Sequence, residues 1–394
     1  MTAALYTRDF LTACCIHLAG ALSLAMWFLL PLYVKALGGS DAMIGGLLGA
    51  AAASSVAARP LVGALLDRVG RRRMLLACSL ANALTWMPFL WVAVLGPWLV
   101  VWTVVHAVVG GALFATYFTY ATDLIPLARR AEGIAIFGMA GMAANGLGPF
   151  TGEIIIERAG YRGFFLTAVG LALLSTAMAT LVPRTVAHAA ASRPQGLVAD
   201  MRTALRHPGI ARVLVVTVLL GVAINAAYFF VAPFVHGLGL ARAGPFFAAY
   251  SVTSVVIRFF GRRALDDIGP HRVSVPAFAI FAVGLFALGF VPAPGLLVLC
   301  GVACGAGHGT LFPVLNALAT QRAPAGLQGT VVSLHTAAVD LGAVAGTPLC
   351  GAIAQWIGYP AMFAVSGLAC LVGSWAIGAD PARGPVAAAA RGGR

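Results

Sequence analysis

Charge is what this sequence has little of. Only 9% of its 394 residues are charged and 61% are hydrophobic, whereas an ordinary globular chain is about 25% charged. Acidic residues number 12 against 25 basic ones, and Lys35 is the sole lysine. Mean hydropathy is +0.95, which leaves too little polar surface to cover a water-soluble body. A soluble enzyme, a nucleic-acid binder and a disordered chain are excluded on composition. The seven cysteines (Cys14, Cys15, Cys78, Cys300, Cys304, Cys350 and Cys370) lie inside apolar runs with no C-x-x-C spacing. Neither a metal site nor a disulfide framework is expected of them; they read as small packing residues. No G-x-x-x-x-G-K-[ST] loop occurs, so ATP is not the expected energy source. Thr7-Arg8-Asp9 leads into a full-length apolar run without a small-residue cleavage site close behind, so no cleavable signal is expected.

What is present is long apolar runs. A helix needs about 20 apolar residues to cross a bilayer, and twelve spans with their loops use about 33 residues each. The runs fall at 10–32, 42–66, 74–95, 98–122, 134–156, 163–182, 210–232, 244–263, 273–291, 295–318, 328–353 and 361–378. Gly96-Pro97 and Pro292-Ala293-Pro294 are tight turns between antiparallel neighbours. Runs this long must satisfy their own backbone hydrogen bonds in lipid, which excludes strands. The predicted fold is an all-α integral membrane protein of 12 transmembrane helices. Residues 1–182 form an N-terminal six-helix bundle and 183–208 a cytoplasmic central loop. Residues 209–379 form a C-terminal six-helix bundle and 380–394 a flexible cytoplasmic tail. Met201–Arg206 in the central loop has the pattern of an amphipathic surface helix.

The net charge of +13 resolves into a topology. Arg8, Arg68, Arg71, Arg72, Arg73, Arg129, Arg130, Arg184, Arg193, Arg202, Arg206, Arg212, Arg262, Arg263, Arg272, Arg322, Arg383, Arg391 and Arg394 all fall on one side of a twelve-span arrangement. The other side holds only Lys35, Arg158, Arg162 and Arg242. The positive-inside rule then places both termini in the cytoplasm.

The two halves repeat. Arg59, Asp67, Gly70 and Arg73 recur as Arg258, Asp266, Gly269 and Arg272, an offset of 199; Pro149 and Gly152 recur at the same offset as Pro348 and Gly351, and Gly160-Tyr161 recurs as Gly358-Tyr359. Six helices repeated in the same orientation make a parallel repeat, whose pseudo-twofold axis lies along the membrane normal. Such halves enclose a site near the midplane and rock about it. That favours a carrier over a channel or a membrane enzyme.

The loop after the second run reads Gly63-Ala64-Leu65-Leu66-Asp67-Arg68-Val69-Gly70-Arg71-Arg72-Arg73. It resembles the G-x-x-x-D-R-x-G-R-R signature of the major facilitator superfamily, and the twelve runs, the central loop and the second copy near Asp266 extend that resemblance over the chain. The resemblance implies the major facilitator fold, and a cytoplasmic latch of Gly63, Asp67, Arg68, Gly70, Arg71, Arg72, Arg129 and Arg130 that closes in the outward-open state. Asp67 would then meet the positive N-terminus of the eleventh helix near Gln328-Gly329. Gly148, Pro149 and Gly152 in the fifth run resemble the superfamily's antiporter motif, although Glu153 stands where its doubled glycine would complete it. Small residues let helices touch closely and Pro149 permits a bend, as a helix sealing the two halves requires. In the fourth run His106 stands four residues before Gly110, where many proton-coupled members carry arginine; a histidine there is either a proton relay or a core residue bonded to a neighbouring helix.

Embedded polar groups are few. Asp340 lies about halfway along the eleventh run, where an ionised side chain costs at least about 2.5–3.5 kcal/mol. That cost is tolerated in an aqueous cavity, or if the group takes up a proton for part of a cycle. Asp340, His106 and Glu153 are the candidates for proton coupling, with Glu153 also able to reach headgroups. Arg59 and Arg258, near the cytoplasmic ends at matching positions, read as snorkelling structural residues. His17, Asn145, Asn225, His308, Asn316 and His335 scatter further polarity. Trp27, Phe28, Tyr117, Tyr120, Tyr228, Phe229 and Phe230 lie on helices one, four and seven, which line the cavity in the family. The substrate-cavity candidates are Trp27, Tyr117, Tyr120, Asn145, Asn225, Tyr228 and Asn316, suited to an amphipathic organic ligand.

The expected function is secondary active transport by alternating access: proton-coupled efflux (antiport) of a small amphipathic organic molecule. The alternatives are a proton-coupled symporter importing a sugar, carboxylate or peptide, and a dedicated siderophore or metallophore exporter. A non-transporting sensor would carry an appended soluble domain, and a membrane enzyme would need clustered ligands. No catalytic residue, metal or cofactor is expected, the proton gradient being the energy source. The expected partners are the small-molecule substrate and the lipid bilayer, with no nucleic acid and a working monomer. The arginine-rich, alanine-rich composition points to the inner membrane of a high-GC bacterium.

Overall fold

The computed structural model describes residues 5–126, 129–183, 197–240, 242–261, 268–291, 293–324 and 326–379. Among these, every regular element is a helix. They are α1 (Arg8–Ala25), α2 (Leu30–Ala36), α3 (Asp41–Val69), α4 (Arg71–Trp86), α5 (Pro97–Leu124), α6 (Arg130–Ala179), α7 (Leu197–Arg206), α8 (Pro208–Gly237), α9 (Gly244–Phe260), α10 (Pro270–Leu288), α11 (Pro294–Gln321), α12 (Gln328–Trp356) and α13 (Tyr359–Gly378). With α1 and α2 taken as one, nine helices among the described residues are long and apolar enough to cross a membrane. One of these, α6, holds two spans joined at Gly160 (φ 66°, ψ −176°), a conformation open only to glycine. The shorter α4, continued by a 3-10 turn Met87–Leu90, and the apolar α9 complete twelve passes. The expected span at 10–32 is instead interrupted by a 3-10 segment, Met26–Leu29. The reason is Pro31, which has no N–H to offer the Trp27 carbonyl; Leu30 N–H takes that carbonyl in a tighter turn instead.

The repeat is written in the backbone more clearly than in the side chains. Gly70 (φ 87°, ψ 146°) and Gly269 (φ 86°, ψ 146°) adopt one conformation at equivalent turns. Gly160 and Gly358 both have positive φ, as do Gly38 and Gly239, a pair not evident in the sequence. Gly38 N–H donates to Lys35 O at 2.9 Å and Gly39 N–H to Val34 O at 2.8 Å; Gly239 and Leu240 repeat the pattern on His236 O and Val235 O at 3.0 and 3.1 Å. Two equivalent helices therefore end in the same left-handed cap. Asp266, Arg262, Arg263 and Asp267, most of the central loop and the tail from 380 lie outside the described residues.

The halves meet along two seams, α3 with α12 and α6 with α9. Both are built by small residues. A Cβ added at Gly351 would stand 2.8 Å from Gly45 Cα, so the two backbones touch there; Gly49 lies equally close to Pro348. On the other seam, a Cβ at Gly146 would meet Ser251 Cβ at 2.5 Å and the Phe247 carbonyl at 2.8 Å. These contacts sit toward the face opposite the arginine-rich one. Toward the arginine-rich face, α3 from Leu61 to Val69 is mostly exposed, as are Gly329, Val332, Ser333 and Leu341 of α12. The molecule is closed on one face and open on the arginine-rich one.

A Gly45→Val substitution drives branched carbons into the backbone of α12, an overpacking cost of about 1–3 kcal/mol. It is expected to lower the thermal unfolding midpoint in detergent. Gly46→Val, which points into open space, is expected to leave it nearly unchanged; equal midpoints for the two variants would count against the seam.

Candidate functional site

The deepest contact between the halves on the open side is ionic. The Arg59 guanidinium of α3 pairs with the Asp340 carboxylate of α12, with 41% and 30% of their side chains exposed. Both are embedded, at similar distances from the arginine-rich ends of their helices. Asp340 is thus partly exposed and lies against an opposing charge from the other half. Arg59 and Arg258 were expected to serve alike, as snorkelling residues. They do not: Arg258 has no carboxylate partner among the described residues. Its Nε–H donates to Gly309 O at 3.3 Å and its guanidinium lies 5.8 Å from the centre of the Phe312 ring.

The closed face is held by polar groups that cross between the halves. Glu153 of α6, only 1% exposed, accepts hydrogen bonds from Ala243 N–H at 3.0 Å and Gly244 N–H at 2.5 Å. It also lies 3.1 Å from His236 Nε2. Helix α9 begins at Gly244 with no side-chain cap of its own, and Glu153 supplies one from the other half. It is therefore turned inward rather than toward headgroups. Beside it, Arg242 Nε donates to Glu157 Oε1 at 2.8 Å. On the other seam Asp41 N–H donates to Gln355 Oε1 at 3.0 Å, Tyr359 O–H donates to Asp41 Oδ1 at 2.5 Å, and Lys35 Nζ lies 2.8 Å from the same carboxylate. Asp41, His236, Gln355 and Tyr359 were not singled out from the sequence; the only signal for any of them was the repeated Gly-Tyr pair that includes Tyr359.

Between the seams, Phe28 of the 3-10 segment stacks on Tyr228 of α8, with ring centres 4.4 Å apart and planes 14° apart. The buried Tyr228 hydroxyl has no formed hydrogen bond and faces Tyr250 and Asn145. Asn316 Oδ1 is likewise buried without a partner, whereas Asn225 Nδ2 is taken up by Gly221 O at 2.7 Å. Tyr117 and Tyr120, expected in the cavity, are placed elsewhere. Tyr117 O–H shares a 3.0 Å hydrogen bond with Ser175 Oγ and Tyr120 O–H donates to Pro183 O at 3.0 Å, both buried inside the N-terminal bundle. Trp27 is also buried there, stacked on His106 at 4.3 Å. His106 Nδ1 bonds Thr85 Oγ1 at 2.9 Å among Trp27 and Trp86, the surroundings of a core histidine.

The glycine-arginine signature makes its contacts within its own half. Arg71 pairs with Asp123, Arg72 donates to Val182 O at 2.7 Å and Thr180 O at 2.8 Å, and Arg129 holds Glu132 at 2.7 Å. Asp67, Arg68 and Arg130 are exposed, and Gly63 has no neighbour close enough to need a glycine. No hydrogen bond or ion pair joins Asp67 to the start of α12 among the described residues, so the expected latch is not formed here.

A family model described as Major Facilitator Superfamily matches residues 10–263 and 236–393. The chain belongs to the major facilitator superfamily. Multidrug resistance protein MdtG of Enterobacter lignolyticus (strain SCF1) is 26% identical over 377 residues, covering 91% of this chain and 88% of that protein. The staphylopine export protein of Staphylococcus aureus (strain Mu50 / ATCC 700699) is 22% identical over 353 residues, covering 87% and 88%. Among solved structures, the nucleoside transporter NupG superposes with a TM-score of 0.80 at 13% identity, covering 95% of this chain and 99% of that one. The human organic anion transporter MFSD10 gives 0.67 at 16%, covering 94% and 99%. These structures bear on the fold. This superfamily member is a multi-pass membrane transporter of small molecules and not an enzyme.

Its antiporter-like motif divides its contacts. A Cβ at Gly148 would meet Ala25 Cβ of α1 at 2.8 Å, and one at Gly152 would meet Leu29 at 2.8 Å and Phe164 at 3.0 Å, all in the same half. Residues of α6 that cross to α9 include Gly146, Phe150 and Glu153. The seal was expected of the motif glycines; neighbours one or two residues away supply it. Removing the cap through Glu153→Ala forfeits charge-assisted hydrogen bonds worth about 1.5–3 kcal/mol. Amide exchange over residues 243–247 is expected to accelerate at least about tenfold, while Glu157→Ala, at an exposed ion pair, is expected to change it little. Equal exchange in both variants would show that Glu153 holds nothing.

Proposed function

We propose that the protein exports a small amphipathic organic molecule in exchange for protons. The observation that carries this reading is the Arg59–Asp340 pair, which joins the halves at membrane depth with both side chains partly exposed. On the positive-inside rule the arginine-rich face is cytoplasmic, as are both termini, and the conformation described is inward-open. In the proposed cycle this is the form in which Asp340 gives up its proton to the cytoplasm. The export direction is supported by relatives named for multidrug resistance and for staphylopine export.

The cycle needs only two competing occupancies. Substrate enters from the cytoplasm into the space below Phe28 and Tyr228, and the halves rock about the seam glycines. The cap from Glu153 and the Asp41 contacts part, and the latch around Asp67 closes. A proton from outside then neutralises Asp340, the pair with Arg59 loses its attraction, and substrate leaves outward. Return to the inward-open form releases the proton, because Arg59 again favours the carboxylate. Exchange is coupled only if proton and substrate each weaken the other's binding, a relation that linkage makes reciprocal. His106 has no part in this scheme.

In proteoliposomes with an imposed pH gradient, Asp340→Asn is expected to reduce gradient-driven transport to the leak, a loss of about 100-fold or more. Ligand-dependent thermal stabilisation in detergent should persist, because the amide leaves the fold and cavity in place. Undiminished proton-driven transport by the Asn variant would sink the assignment.

A further inference from the structure

We propose that Arg258 recognises an anionic group of the transported molecule, which makes that molecule an amphipathic organic carboxylate. The proposal deepens the export reading above and rests on it for the word "transported"; recognition itself is an equilibrium property that can be measured without transport.

The first argument is symmetry. The seam of α3 with α12 is related by the repeat to the seam of α9 with α6. In the first, Arg59 faces Asp340. In the second, Arg258 occupies the position of Arg59, and the residue equivalent to Asp340 at the 199-residue offset is Gly141. One seam carries its own counter-ion; in the other the cation is kept, and the sequence equivalent of the acid is a glycine that faces His17 of α1. Among the described residues the embedded carboxylates are already committed, Asp340 to Arg59 and Glu153 to the start of α9.

The second argument is placement. The exposed residues of α9 are Val252, Val256, Phe259 and Phe260, a lipid-facing stripe. Arg258 lies on the opposite stripe, continuing Tyr250, Ser251 and Ser254, which pack against α6 and α11. A snorkelling arginine would turn to the near headgroups. This one is fixed by its Nε to Gly309 O, twelve residues, or about 18 Å of helix, from the end of α11 at Gln321. With Nε so held, the two terminal nitrogens form no hydrogen bond among the described residues. They present the planar fork that suits two carboxylate oxygens.

The third argument is the lining. Arg258 lies within electrostatic reach of Tyr228, Tyr250 and His308. Tyr250 and His308 satisfy one another through a 2.7 Å hydrogen bond, so neither supplies an anion. Asn316 Oδ1 is buried without a hydrogen-bond partner, and the Tyr228 hydroxyl faces Tyr250 and Asn145. The ring of Phe312 under the guanidinium and the Phe28–Tyr228 stack are flat apolar walls for a hydrocarbon body. A cation over an aromatic face, with unspent donors and no carboxylate partner among the described residues, is built for an anion with an apolar tail.

The test uses one hydrocarbon body with three charges: 1-naphthaleneacetate, its neutral primary amide, and the ammonium ion of 2-(1-naphthyl)ethylamine. Purified full-length protein in detergent is titrated with each, and the thermal midpoint is followed relative to its own ligand-free value. The carboxylate is expected to stabilise the wild type at concentrations at least tenfold below the amide or the ammonium ion. Arg258→Gln is expected to abolish that preference, and Arg258→Lys to keep the charge but weaken binding several-fold by losing the fork. Arg59→Gln is expected to retain the preference, which separates the two arginines. A wild type that the carboxylate does not stabilise, one that prefers the ammonium ion, or an Arg258→Gln or Arg258→Lys protein that folds and binds the carboxylate with wild-type affinity overturns the proposal. Proton coupling is read separately: if Asp340→Asn still transports against a pH gradient while Arg258→Gln loses the carboxylate, the export cycle fails and anion recognition stands.

Discussion

Two backbones can touch only where nothing projects between them, and the arrangement of this protein follows from that constraint. Gly45 against Gly351, and Gly146 against Ser251 and Phe247, bring helices of opposite halves into contact near one face. A contact this close resists sliding but permits tilting. On the far side of it the Arg59–Asp340 pair still joins the halves, and beyond that pair the ends of α3 and α12 are exposed. The polar ties, with Glu153 on α9 and Asp41 on Gln355 and Tyr359, fall on the closed side. The glycines thus determine where the halves hinge, and the charged residues determine which side of the hinge is held.

The two pseudo-equivalent seams then do different work. Along α3 and α12 an arginine meets an acid, an arrangement whose strength depends on whether the acid carries a proton. Along α9 and α6 the arginine is kept and the acid is not. A strictly symmetric protein would place two neutralised pairs at the midplane and leave nothing for a charged ligand to do. Asp340 answers the arginine on one seam; on the other, Arg258 has no carboxylate partner among the described residues and its Nε is held by Gly309 O.

The spans were legible in the sequence to within a few residues, because the requirement that lipid imposes is local: each segment must be apolar and must satisfy its own backbone. The break in the first span was implicit in Pro31, and the turn at Gly160 in its pairing with Gly358. The signature around Asp67 was legible as a pattern, but its contacts depend on conformation, which no pattern encodes. Asp340 stood out because a carboxylate is costly at its depth. Its partnership with Arg59 did not, since the two belong to different halves and their meeting depends on how those halves pack. Glu153 was misread for the same reason, although α9 starts without a capping side chain, a deficit that a close reading of Ala243-Gly244-Pro245 could have flagged. Aromatic residues were the least legible. Tyr117 and Tyr228 look alike in sequence, yet one is locked to Ser175 within a bundle and the other faces the space between bundles.

The paired left-handed glycines also carry a history. Gly38, Gly70 and Gly160 have counterparts at Gly239, Gly269 and Gly358, so the offset falls from 201 to 199 to 198 along the half. Such a chain reads as a duplication of six helices whose second copy is two residues shorter than the first between the first and second turns, and one shorter before the third. Side chains drifted while these positions stayed, because a residue with a Cβ cannot take their backbone angles without strain. Handedness, rather than chemistry, has preserved the record of the duplication.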